Sequence, residues 1–218
     1  MPYSQGDIAR ITELIKEIES RKEHPNAAPT YKDVPALQEI DLIVNEQLPL
    51  QLFDRDMLED GIGVMRYLGT SYEHMWRIPY AIRCYKRLLE LQVELLSRFG
   101  ENDENSKDDY YIALRARNYY GKDSCEDLAR LAKKLLPEDK RKEVEKQILE
   151  DFRPLKHDPV ELTPIYLSVI DEVERRMDTD EVKNMHHFQR SDVRRRLLRE
   201  YGIEWRPVTL LNPGVRFD

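Results

Sequence analysis

The stretch PYAIRCYKRLLELQVELLSRF, residues 79–99, decides the fold. Ala81, Ile82, Tyr85, Leu88, Leu89, Leu95, Leu96 and Phe99 recur at the spacing of one helical face. Pro79 stands where a first helical turn tolerates a missing N–H, and Gly100 where a helix ends. At about 1.5 Å per residue this helix spans roughly 30 Å, the width of a domain, and reads as the central element.

The same period extends in both directions. Upstream, Ile8, Ile11, Leu14, Ile15 and Ile18 predict a helix from near Ser4 to Lys22, capped by Ser4 or Asp7. A Pro-containing connection, His24 to Pro29, leads to a second set, Val34, Leu37, Ile40, Ile43 and Val44, with Pro35 in its first turn and Pro49 as its interruption. From Leu50 to His74, Leu52, Phe53, Met57, Leu58, Ile62, Met65, Leu68 and Tyr72 predict one helix, or two if Asp60-Gly61 breaks the run. Downstream, the acidic ENDENSKDD stretch at 101–109 reads as a loop, with Ser106 capping a helix that ends before Gly121. A helix from Asp123 or Ser124 carries Leu128, Leu131, Ala132 and Leu135, and Pro137 separates it from another, Glu138 to Phe152.

Three prolines in RPLKHDPVELTP, 153–164, divide the chain by composition. They set a helical-hairpin domain, 1–155, and a C-terminal helical subdomain, 156–218, expected to pack on it. Thr163-Pro164 opens a helix that carries Ile165, Leu167, Ile170 and Val173 to about Met177. Past the MDTDE turn and Met185 to Gln189, Ser191 caps a short helix with a core face of Val193, Leu197, Leu198 and Tyr201, closed by Gly202. The tail IEWRPVTLLNPGVRFD, 203–218, reads as an extended segment whose bulky apolar residues pack on the helices.

Composition narrows the function classes. Charged residues are 35% of the 218 and hydrophobic ones 40%, enough for a real core. Eight glycines are few, which argues against Gly-rich nucleotide loops. A net charge of −7 and a pI near 5.4 repel nucleic acid and anionic lipid, so neither nucleic acid nor membrane is an expected partner. The start has no unbroken apolar core, so no signal peptide or membrane anchor is expected. Two cysteines, Cys84 and Cys125, make no disulfide framework and no CxxC pair, so a reducing cytoplasm is the expected location.

Leu68-Gly69, Tyr72, Ala81 and Tyr85 stand at the offsets LG-x2-Y-x8-A-x3-Y, so residues 62–95 resemble one tetratricopeptide repeat. The match departs where Met65 replaces Trp and Val93 replaces Pro. In physical terms, Gly69 and Ala81 are small where two helices cross closely, and Tyr72 and Tyr85 fill the space beside them. The resemblance implies an all-α fold of stacked antiparallel helical hairpins with a concave surface that binds peptides or helices.

No catalytic signature emerges. His186-His187 with Asp178, Asp180 and Glu181 offers nitrogen and oxygen donors. Adjacent helical side chains point about 100° apart, however, so a partly exposed surface pair is the expectation and no metal is assigned. His157-Asp158 invites comparison with metal phosphohydrolases, but Pro154 and Pro159 bracket it where those enzymes have a core helix. The loop from Asp103 lacks the Gly and Glu of an EF-hand. Gly61-x-Gly63 lacks a third glycine and follows no strand. No cofactor and no catalytic residue are assigned.

Two surfaces remain. Arg195, Arg196 and Arg199 face outward beside Asp192 and are anion-binding candidates; a solvated face with an Asp192–Arg196 pair is the simpler reading. Tyr72, Trp76 and Tyr80 are the candidates for an aromatic-lined groove, since such side chains join apolar area to a polar tip. Together these favour a protein- or peptide-binding helical module, with a homodimer an open alternative. The rival is an enzyme of an unfamiliar helical class, using His186 or His187 on a phosphorylated or anionic substrate.

Overall fold

A computed structural model describes residues 5–22, 24, 27–45, 54–118, 126–151 and 155–216. These residues form α-helices and short 3-10 turns, with no strand among them. None of the described helices is long and apolar enough to cross a membrane. The chain forms two compact units, Met1–Phe152 and Arg153–Asp218.

The first unit holds α1 (Gln5–Arg21), α2 (Val34–Asn45), α3 (Arg55–His74), α4 (Ile78–Phe99), α5 (Ser106–Asn118), α6 (Glu126–Leu135) and α7 (Glu138–Asp151). Its core runs continuously from Ile11, Leu14 and Ile18 of α1 to Val144 and Ile148 of α7, through the face of α4 that carries Ala81, Cys84, Tyr85, Leu88 and Leu95. Gly100 closes α4 in the left-handed conformation, at φ 71°.

Polar pairs record the direction of neighbouring helices. On α3 and α5, Arg66 grips Asp109 in a fork (2.8 and 2.7 Å), and Glu73 accepts two bonds from Arg115 (3.0 and 2.7 Å). Rising numbers meet rising numbers, so α3 and α5 run parallel. Lys107–Glu143 (2.7 Å) and Tyr110–Glu145 (3.3 Å) place α7 parallel to α5 in the same way. Between them α4 runs antiparallel: its Tyr85 donates to Glu73 (2.7 Å) and its Gln92 to Asp109 (2.6 Å). Glu73 and Asp109 thus each have a cation and a neutral donor, the condition under which a buried charge is tolerated.

Several boundaries differ from the expectations. Asp60-Gly61 does not break α3, because a Cβ at Gly61 would stand 3.3 Å from Leu91; this glycine serves close packing against α4. Ser106 begins α5 and donates to the Asp103 carbonyl (2.8 Å) instead of capping, so residues 106–109 are helix, not loop. Asp54 caps α3, its carboxylate accepting from the Met57 N–H (2.9 Å). The expectations at Ser4, Pro49, Leu52, Phe53, Gly121, Asp123, Ser124, Cys125 and Phe152 lie outside the described residues.

The second unit holds α8 (Pro164–Met177), α9 (Asp180–Lys183), α10 (His187–Glu200) and α11 (Val208–Leu211). Thr163 caps α8 by accepting from Tyr166 N–H (3.4 Å). Tyr166, Ile170 and Val173 pack with Leu197, Leu198, Ile203 and Trp205. The tail is therefore not extended throughout: Ile203 and Trp205 enter the core and residues 208–211 turn as a helix. Its first residues are strapped to the start of the unit. Trp205 Nε1–H donates to Glu161 (2.6 Å), the Arg206 backbone and side chain both donate to Asp158 (2.9 and 3.0 Å), and the Asn212 amide bonds both the N–H and the carbonyl of Lys156 (2.8 and 2.9 Å).

Candidate functional site

In the parallel row of the first unit, the seams α3–α5 and α5–α7 are filled by the ion pairs above. The seam between α1 and α3 is different. Tyr67 of α3 donates to Glu19 of α1 (3.3 Å) near its upper end. Below that bond lies an open groove of about 160 Å³, lined by Ile8, Ile11, Thr12 and Ile15 of α1 and Asp60, Gly61 and Val64 of α3. Thr12 Oγ1 donates to the Ile8 carbonyl (2.8 Å), which leaves the floor apolar. Ile8 is 44% exposed at its edge. Asp60 and, one turn below, Asp56 are exposed on α3 and make no ion pair among the described residues. The groove can therefore receive one apolar side chain, with carboxylates at hand for a cation beside it.

The three aromatic candidates fall elsewhere. Tyr72 is 1% exposed and belongs to the core, so it cannot line an open groove; its ring stacks on Tyr80 with centroids 5.2 Å apart. Tyr80 is half-buried, with the Arg83 guanidinium 5.4 Å over its ring and Arg83 in turn paired with Asp41 of α2. Trp76 is half-buried and occupies the left-handed conformation at φ 61°. Its N–H bonds the Glu73 carbonyl (2.9 Å), while Arg77 N–H bonds the Tyr72 carbonyl (2.7 Å). That is a Schellman closure with tryptophan at the position that glycine usually holds.

In the second unit Arg195, Arg196 and Arg199 do lie on the outer side of α10. Arg195 pairs with Asp192 (2.8 Å) and Arg199 with Glu204 (3.2 Å). The expected Asp192–Arg196 pair does not form, and Arg196 has no ion pair among the described residues. Arg194 turns inward to Glu174 (3.4 Å) and lies 5.8 Å over the Trp205 ring.

His186 is the residue preceding α10, not part of it, and replaces Ser191 as the cap. Its extended backbone brings the two imidazoles together, with ring centroids 4.4 Å apart instead of diverging. Phe188, 49% exposed, stacks beside them. Among the described residues no group of three or more His, Cys, Asp or Glu gathers as a metal site. His157 Nδ1 lies 3.2 Å from Glu161, inside the strap of the second unit.

The α1–α3 groove escaped the reading of helical periods. Its one sequence signal is the width of the α1 stripe: Ile8 and Ile15 lie to one side of the line Ile11, Leu14, Ile18 and need a second neighbour. Comparison with known proteins finds no matching family model, no similar curated protein and no similar solved structure.

Proposed function

We propose that the first unit is a stack of helical hairpins that binds a protein segment, one apolar side chain of which enters the α1–α3 groove. The open groove is the observation that carries this reading, since the neighbouring seams of the same row are closed by ion pairs. The parallel row with an antiparallel helix behind it supports a tetratricopeptide-like arrangement, as does the tight crossing at Gly69. The unit is longer than in that family. Arg66–Asp109 and Glu73–Arg115 join residues 43 and 42 apart, against about 34 for a tetratricopeptide repeat. The buried thiol of Cys84 suits a reducing compartment such as the cytoplasm.

Selection of displayed random peptides on the full chain tests the reading. The expected result is a set of binders that share one large apolar residue and lose binding to Val64→Arg. Binders that hold Val64→Arg equally well, or no binders at all, would show that the groove is not the site.

A further inference from the structure

The chain itself carries a ligand of the chemistry that this groove requires. Resting on the binding reading above, we infer that Phe188 on α10 of one copy docks in the α1–α3 groove of a second copy. Phe188 lies at the amino end of the helix and is half exposed, and its ring neighbours among the described residues are His186 and His187. A space of about 160 Å³ suits a phenyl ring, since roughly 150 Å³ holds benzene.

Charge agrees with size. Residues 1–152 carry 23 basic and 30 acidic side chains, while residues 153–218 carry 12 of each. The acidic excess of the chain therefore lies wholly in the unit that holds the groove. Within the second unit α10 is the basic element, with Arg190, Arg194, Arg195, Arg196 and Arg199 against Asp192 and Glu200. Two turns on from Phe188, Arg195 occupies the same outward strip and Arg196 lies beside it without an ion pair among the described residues. Across the contact stand Asp60 and Asp56, likewise without one. Each copy has one such aromatic edge and one such groove, so the chain carries both halves of the contact and a second copy is a sufficient partner.

The test uses the full chain with Cys125→Ser. Sedimentation gives the mass, and oxidation of a mixture of Asp56→Cys and Arg195→Cys chains, both of which keep Phe188 and the groove lining, gives the contact. The expected results are self-association above the monomer mass, a dissociation constant raised at least about tenfold by Phe188→Ser or Val64→Arg, and weakening from roughly 0.05 to 0.5 M salt. The mixed single-cysteine chains should cross-link, whereas neither should do so alone. Phe188 is exposed, so Phe188→Ser keeps the helical content by circular dichroism.

A dimer indifferent to both substitutions overturns the inference, because it uses another surface. A disulfide formed only within one chain that carries both cysteines also overturns it, by placing α10 on its own groove. A monomer throughout overturns self-docking as well. If displayed peptides still require Val64 in that case, the groove reading survives alone; if none bind, both fall.

Discussion

The ring of Tyr85 lies directly on Gly69: a Cβ built at that glycine would stand 2.4 Å from Cε1 and 2.6 Å from Cδ1. The same tyrosine is held from its far end by Glu73, at 2.7 Å, so the ring cannot swing away freely. Gly69→Ala should therefore destabilise the first unit by about 1–3 kcal/mol, although alanine is the better helix former. Urea unfolding followed by circular dichroism measures it. Gly69→Ala should cost less in a Tyr85→Leu background than in the natural chain, since a smaller side chain then meets the added methyl.

Glu73 is the meeting point of three helices, accepting from Tyr85 of α4 and Arg115 of α5. Burial and the adjoining Glu73 carboxylate push the Tyr85 phenol well above its ordinary range. Glu73→Ala leaves a guanidinium and a phenol without their acceptor and should cost about 3–5 kcal/mol. Glu73→Gln keeps an acceptor but loses the charge and should cost less. Equal losses in the two variants would count against this account.

Trp76 tests backbone strain separately from packing. Trp76→Ala and Trp76→Gly both remove the ring, but only glycine relieves the left-handed conformation. Trp76→Gly should be more stable than Trp76→Ala by about 1 kcal/mol. The two midpoints in urea, measured side by side, give the difference directly.

Asp158 makes the second unit sensitive to acid. Burial alone would raise its pKa, but the Arg206 side chain and the Val160 and Arg206 backbone N–H groups outweigh it and hold the carboxyl below the usual range. A carboxyl lowered in this way adds stability above its unfolded value, near 4, and loses it as pH falls through the lower folded value. The gap in melting temperature between the natural chain and Asp158→Ala should thus be widest near neutrality and shrink below about pH 4. Trp205 fluorescence in a Trp76→Phe background reports the second unit.

Cys84 should behave as an inert core residue. Burial pushes its thiol up to about 12. In a Cys125→Ser chain, labelling by a disulfide reagent at pH 8 should be slow and should track unfolding as urea is added. Fast labelling of the folded chain would place the thiol at the surface.

Periodicity made the helices legible wherever one side faces the core. The α4 face, the turn at Gly100 and the Thr163-Pro164 start all followed from spacing and caps. The same rule hid what does not obey it. Tyr72 looked like a groove residue because aromatic side chains serve cores and surfaces alike, and only packing against Tyr80 decides. Glu73, Asp109, Asp158 and Glu161 are buried charges, and their partners lie 12 or more residues away for Glu73 and Asp109, and 48 and 44 away, respectively, for the tail's bonds to the last two. The α1–α3 groove is a space left between elements, and no single element encodes it. His186 escaped notice as a cap because histidine is not among the usual capping residues.

The pairs between α3 and α5 alternate in polarity: arginine to aspartate at Arg66–Asp109, then glutamate to arginine at Glu73–Arg115. If α5 slid by six residues in one direction, Arg66 would confront Arg115; in the other, Glu73 would confront Asp109. Either slip sets like charges together in a poorly solvated gap and turns the apolar face of α5 away from its neighbours. The reversed polarity therefore works as a key in a lock: only one alignment of the two helices satisfies both pairs.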